Sequence, residues 1–408
     1  MPRFEPFAGL RYSPEQLVRR GFSLDAVIAP PYDVIDDAQR SALAARCPFN
    51  SVLVELPSDE PERGADRYQV AAELFSAWQQ QGILVADPGP AFYVYQMDFE
   101  DPDGGPRHTR GVIGALEVVP EGRPDVLPHE RTLPKPKGDR LELLRACRAN
   151  LSPVWGLSLA EGLSQLLRPS GPPDSAATDD QGVRHLMWRM DDPAHLDLVA
   201  QRVGSAAVVI ADGHHRYETA RAYDAERRAE QGGRPGDHSL VMALVVELSD
   251  AELRVRPIHR LLGPGGADRD LVQAMAGAFV LEPWSGERGQ ALLAAMGDRG
   301  GPCLVTPQGA WLMRARPETR AGAALDLDSI HLEAALERLP GLEVSYEPDL
   351  SAVLAKLAGG QASAAVLVRP ATVAQIAECA RSGLRMPPKT TLFDPKPRTG
   401  MVFRRLAD

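Results

Sequence analysis

The chain has 408 residues, 44% of them apolar, with 45 basic and 55 acidic side chains and a formal charge of −10. It is too long for one ordinary core and too apolar for disorder, so two or three packed domains are expected. The acidic balance argues against nucleic acid as a partner, since phosphate neutralisation needs a basic face. The longest apolar runs, such as Leu240 to Leu248, fall short of the roughly 20 residues of a membrane span, and the first residues lack the character of a signal or transit peptide, which makes the cytoplasm the default location. Cys47, Cys147, Cys303 and Cys379 stand far apart, without the spacing of a disulfide framework or a zinc site, and no metal-ligating set is expected.

Three segments of alternating strand and helix pattern follow one another, and the fold class they imply is α/β with mixed sheets. In the first, residues 1–118, Pro30 and Pro31 make "DAVIAPPYDVI" an extended piece and a turn. Tyr68, Ala72, Phe75 and Trp78 recur near the helical repeat, and "AFYVYQMDFED" and "RGVIGALEVV" flank a Gly-rich turn as a hairpin. The second segment, 119–262, opens a helix at Gly138-Asp139 that runs to Asn150. A strand at Val154 to Leu157, a linker-like stretch at 168–182, the helix "PAHLDLVAQRV" and the strand "AAVVIA" follow. The segment closes on a pair of strands, "LVMALVVEL" and "LRVRPIHRLL". The third, 263–408, mixes the helices "GQALLAAMG", "SIHLEAALERL" and "VAQIAECARSG" with the short strands "CLVT", "AAVLVR" and "GMVFRRL".

The chemistry concentrates in "VVIADGHHRYETA", Val208 to Ala220. A buried strand that turns at Asp-Gly into a helix puts the unpaired N–H groups of the first helical turn, and the positive end of its dipole, at the strand's carboxyl end. Gly213 allows close backbone approach, and His214, His215 and Arg216 add donors suited to phosphate oxygens. Asp212 is a carboxylate usable as a magnesium ligand or a general base. Neighbouring histidines on a helix diverge by about 100°, so a shared metal is not expected there. Only five of the basic residues are lysine, and four of them lie in "LPKPKGDR" and "MPPKTTLFDPKPRTG". From these stretches and the double-proline turn come further candidates. Asp33 and Glu130 are alternative bases beside Asp212, and Lys396 is a phosphate ligand. Tyr32, Arg131, Lys137, Arg398 and Thr399 are candidate substrate contacts. Asp33, Glu130 and Lys396 are expected to converge on the turn at Gly213. Arg216→Ala is expected to weaken nucleotide binding while leaving stability almost unchanged.

Six blocks in order resemble the bacterial and archaeal family known as domain-of-unknown-function family 1015, often labelled ParB-like: "PFAGLRY", "VIAPPYDVI", "HERTLPKPKGDRLELLRACRANLSPVWGL", "IADGHHRYETA", "IHRLL" and "MPPKTTLFDPKPRTG". The resemblance extends to the ParB and sulfiredoxin superfamily, which binds ATP, ADP or CTP through a similar Gly/His/Arg turn and includes a free-serine kinase. It implies a ParB/sulfiredoxin-like nucleotide-binding core in 119–262, with flanking α/β segments, the last returning its "PKPRTG" loop to the site. By the same resemblance Gly213, His214, His215 and Arg216 hold nucleotide phosphates, His214 shares in catalysis, and ATP or ADP with Mg²⁺ is the expected cofactor set. His214 stands where sulfiredoxin has its reactive cysteine, which speaks against sulfinate repair. Nothing after Leu262 reads as a basic recognition helix, which speaks against chromosome partitioning. The function so implied is phosphoryl transfer between an adenine nucleotide and a small hydroxylated acceptor, free serine or phosphoserine, in either direction. A nucleotide-binding regulatory or clamp protein, as a homodimer, is the alternative.

Overall fold

The computed structural model describes residues 1–59, 66–101, 104–130, 138–263, 271–339 and 341–407. Two compact units emerge, and neither is a continuous stretch of chain: the first takes 1–128, 134–253 and 395–408, the second 129–133 and 254–394. This differs from three successive segments because the main sheet ignores the boundary at residue 118. Gly105–Glu117, from the first segment, pairs over Gly111 to Glu117 with Leu240 to Val246, from the second.

The first unit is built on a nine-stranded mixed sheet. Its order is Val126–Pro128, Val208–Asp212, Val154–Ser158, Leu240–Glu247, Gly105–Glu117, Phe92–Asp101, Arg184–Met190 and Ser175–Thr178, with Phe4–Glu5 added against Gly105–Glu117. The expected hairpin forms, with Tyr93 opposite Ile113 and Asp101 opposite Gly105. Leu240–Glu247 is buried on both faces, which explains its unbroken apolar sequence. Ser175–Thr178 is a sheet edge inside the stretch read as a linker, where its short, small-residue sequence gave little strand signal. One face of the sheet packs Val94, Val112, Val154, Val208 and Val245 with Val199 and Val203 of the helix Pro193–Gly204 and Tyr217 of the helix His214–Glu230. A second cluster gathers Tyr12, Val54, Phe75, Trp78 and Leu143 around Phe403 from the far end of the chain.

That end is strapped in by backbone pairing. Ala29 and Thr399 exchange hydrogen bonds of 3.0 and 2.9 Å, Leu10 and Phe403 exchange two of 2.9 Å, and Arg404–Arg405 pairs with Ala149–Asn150. The last pairing ends the helix Gly138–Cys147 before Asn150, earlier than its sequence pattern indicates, because the backbone there is taken as strand. Gly400, at φ +102° and with Ser51 Oγ 3.1 Å from where a Cβ would lie, is a glycine for both reasons.

The second unit is a six-stranded antiparallel sheet, in the order Phe279–Trp284, Ala310–Ala315, Cys303–Val305, Ala364–Leu367, His259–Leu262 and Val344–Glu347. Alternation sorts its faces: Cys303, Val305, Ala365 and Leu367 pack against Leu292, Met296 and Val353, while Leu304, Ala364 and Val366 pack against Met275 and Leu332. The pair of strands expected from "LVMALVVEL" and "LRVRPIHRLL" does not form. Pro257 divides the second run into Val255–Arg256 and His259–Leu262, which join different sheets, both apart from Leu240–Glu247. All four cysteines are free thiols. Among the described residues no helix is long and apolar enough to cross a membrane.

Candidate active site at the Asp212 turn

The strand Val208–Asp212 ends against Val154–Ser158 with an irregular register between Ile210 and Asp212, a device that re-aims a side chain at a strand end. Gly213 follows at φ +84°, and the helix His214–Glu230 begins without a side-chain cap. A Cβ on Gly213 would lie 2.9 Å from Arg216 Nε, so the position demands glycine for its backbone and for the guanidinium folded against it. The glycine at the cap position supplies no side-chain acceptor of its own, and the positive end of the helix lies at the turn, where it suits an anion.

Around this turn four charges from three distant parts of the chain meet. Lys396 Nζ donates to Asp212 Oδ1 at 3.0 Å and to Asp33 Oδ2 at 3.2 Å. Arg216 Nη2 donates to Asp212 Oδ2 at 2.8 Å, and its Nη1 donates to the Pro153 carbonyl. The four side chains retain between 11 and 28% exposure, enough for a ligand to reach them and little enough for their fields to be strong. Burial opposes ionisation of Asp212, but Lys396 and Arg216 outweigh it and hold the carboxyl at about 2. Burial likewise disfavours the Lys396 ammonium, and Asp212 and Asp33 reverse that, raising its pKa. With a donor on each oxygen, Asp212 orients its neighbours and makes a poor base. Among the described residues Asp33 has one hydrogen-bonded oxygen, in a short 3₁₀ turn, Tyr32–Val34, that the double proline sets up. Its other oxygen stays available to accept a proton.

The remaining candidates divide. Tyr32 lies beside Asp33 with the Arg140 guanidinium 4.5 Å over its ring, and burial raises its phenol pKa. His214 and His215 head the helix half-buried, and the charge of His214 adds to the field that depresses Asp212. Arg398 is bound elsewhere. Its guanidinium pairs with Asp179, which also accepts from His185 Nε2 at 2.9 Å, and its backbone N–H donates to Tyr95 Oη at 3.1 Å. Thr399 is buried in the backbone pairing with Ala29. Glu130 belongs to the second unit. Its carboxylate accepts from the backbone N–H of Lys389, Thr390 and Thr391 and from the Thr391 hydroxyl, at 2.7–3.1 Å, which makes it a loop clasp with no capacity left for a base. Arg131 and Lys137 lie outside the described residues. Arg216, tied to Asp212 and Pro153 in a half-buried setting, carries stability as well as charge, contrary to the expectation that its removal is structurally silent. Among the described residues no group of three or more His, Cys, Asp or Glu side chains is placed to hold a metal ion.

Sequence reasoning missed Glu55, Ser152 and Arg140. Glu55 lies at the end of the helix Val52–Glu55 and is 3% exposed, and a carboxylate closing the apolar run "VLVEL" was the available signal.

A family model described as a protein of unknown function, DUF1015, matches residues 4–334, a span that includes Asp33, Asp212 and Arg216 and stops before Lys396. Among solved structures the fold is similar to a free serine kinase in complex with AMP, with a TM-score of 0.40 and 12% identity over 69% of this chain and 88% of that one. It is also similar to SbnI with a C-terminal truncation from Staphylococcus aureus, at 0.39 and 11% over 70% and 85%, and to a conserved hypothetical protein from Pyrococcus furiosus, at 0.36 and 13% over 68% and 90%. No curated protein matches the sequence.

Proposed function

The chain belongs to the DUF1015 family, and we propose that it is a phosphotransferase that moves a phosphoryl group between an adenine nucleotide and a small hydroxylated acceptor, free serine or phosphoserine. The observation that carries this reading is the meeting of Asp33, Asp212, Arg216 and Lys396 at an uncapped helix start. Phosphoryl transfer asks a protein mainly for positioning and for charge around the moving group. The nucleotide's phosphates lie against the first-turn N–H groups, with Lys396 and Arg216 beside them. Asp212 holds both cations in place. The acceptor hydroxyl approaches in line, its oxygen bonds to phosphorus as the bond to the leaving nucleotide breaks, and its proton passes to Asp33. Asp33 and Asp212 also suit a magnesium ion arriving with the nucleotide, since that ion is usually held by one or two carboxylates and phosphate oxygens. When bound it would neutralise charge on the transferring group.

A direct test of the phosphate contacts is calorimetric titration of ATP and ADP, with magnesium, into the wild type and Lys396→Ala. The reading expects affinity to fall about tenfold or more, the worth of a charge-assisted contact. Equal affinity in the two proteins would remove Lys396 from the site.

A further inference from the structure

Beside Arg216 the first unit contains a cavity of about 50 Å³ whose wall includes Glu55, Arg140, Ser152 and Arg216, with Leu143 and Val241 among its apolar surfaces. Two of these groups carry unused capacity. The Glu55 side chain is 3% exposed, yet among the described residues its carboxylate has one partner, the Ser152 hydroxyl, which donates to Oε1 at 2.7 Å. Among the described residues no cation lies within ion-pair distance of it, and Arg216 reaches it only through its field. Arg140, the nearest candidate, directs Nη1 to the Glu55 backbone carbonyl and its other nitrogens to Asp139. A buried carboxylate that lacks a cation is costly, and such a group normally has a partner that is not part of the chain. Arg216 supplies the complementary gap: both its Nη atoms are bonded, while its buried Nε has no acceptor among the described residues.

We propose that this cavity is the acceptor's recognition pocket and that it takes the head of a small α-amino acid, with the ammonium on Glu55 and Ser152 and the carboxylate on the Arg216 guanidinium. Glu55 is then the residue that selects an amino acid over its deaminated 2-hydroxy analogue. The inference rests on the phosphotransferase reading and adds the acceptor's charge pattern to it. The cavity's small volume suits the head of a small molecule better than a nucleotide base. Arg216 is common to both sites, since it lines the cavity and its Nη2 donates to Asp212. An acceptor seated there lies one guanidinium width from the phosphate ligands.

Calorimetric titration of L-serine and L-glycerate into the wild type and Glu55→Gln, with ADP as a control ligand, tests this. These acceptors share a primary hydroxyl and a carboxylate and differ in the ammonium. The wild type is expected to prefer L-serine by about tenfold or more, the discrimination of a site built around one charge. Glu55→Gln is expected to erase that preference and leave ADP affinity unchanged. A wild type that binds the two alike, or a folded variant that keeps the preference, overturns the proposal. Should Glu55→Gln fail to fold, the wild-type comparison and Ser152→Ala, expected to weaken L-serine severalfold and L-glycerate little, decide it. Failure of the phosphotransferase reading looks different: L-serine binds selectively and no phosphoserine forms.

Discussion

Lys396 is the residue on which the site's charge arrangement turns, because among the described residues it alone contacts both Asp33 and Asp212. Replacing it with alanine is expected to lower the rate of transfer by about 10²–10³-fold, the range seen when one stabiliser of transition-state charge is lost. Lys396→Arg should not restore it, since a planar fork does not fill the place of a compact ammonium between two carboxylates. Steady-state kinetics of both variants checks this. Arg216→Ala is expected to cost on the order of 3 kcal/mol of stability in addition to activity, because it leaves Asp212 short of a partner and the Pro153 carbonyl unbonded; chemical denaturation measures it. At this scale much of the cluster was legible. Asp33, Asp212, Arg216 and Lys396 were all marked by unusual local chemistry: a double proline, a Gly-His-His-Arg run and a scarcity of lysine. Arg398 and Glu130 carried the same marks and serve structure. A sequence states which side chains are charged and leaves open which buried partner claims them, and Asp179 and the Thr390-Thr391 amides gave no advance notice.

Among the elements, the junction of Val208–Asp212 with His214–Glu230 sets the geometry, and Gly213 makes the junction. Gly213→Ala is expected to lose about 1–2 kcal/mol of stability through strain at φ +84°, and to weaken nucleotide binding as Arg216 is pushed off Asp212. Thermal unfolding and a nucleotide titration on the same preparation check both effects. Long periodic elements, such as Arg67–Gln80, Pro193–Gly204 and the Phe92–Glu117 hairpin, were readable because patterning alone determines them. Short pieces fixed by distant pairing were not. Ala149–Asn150 is strand only because Arg404–Arg405 lies beside it, and Ser175–Thr178 is strand only as an edge.

For the whole molecule, chain order and spatial order diverge. Residues 395–408 join the first unit after 254–394 have built the second, a long-range return that no local pattern encodes. The second unit has its own electrostatic fastening in Glu130. Burial opposes its ionisation, and the contacts with His129 and Thr391 prevail, holding the carboxyl at about 2. A carboxyl lower in the folded than in the unfolded chain, where it titrates near 4.3, stabilises fully above that value and loses its effect as pH falls through about 2. Unfolding followed from pH 5 to pH 2 is therefore expected to show a steeper loss of stability in the wild type than in Glu130→Gln, and parallel curves would contradict the clasp. The central claim, that charges brought from positions 33, 212–216 and 396 transfer a phosphoryl group, has a direct test in ³¹P NMR of the purified protein with magnesium, L-serine and ATP or ADP. The account predicts a phosphoserine resonance that grows with the wild type and is reduced about a hundredfold with Asp33→Asn. No phosphoserine from either nucleotide, or turnover undiminished in Asp33→Asn, would contradict it.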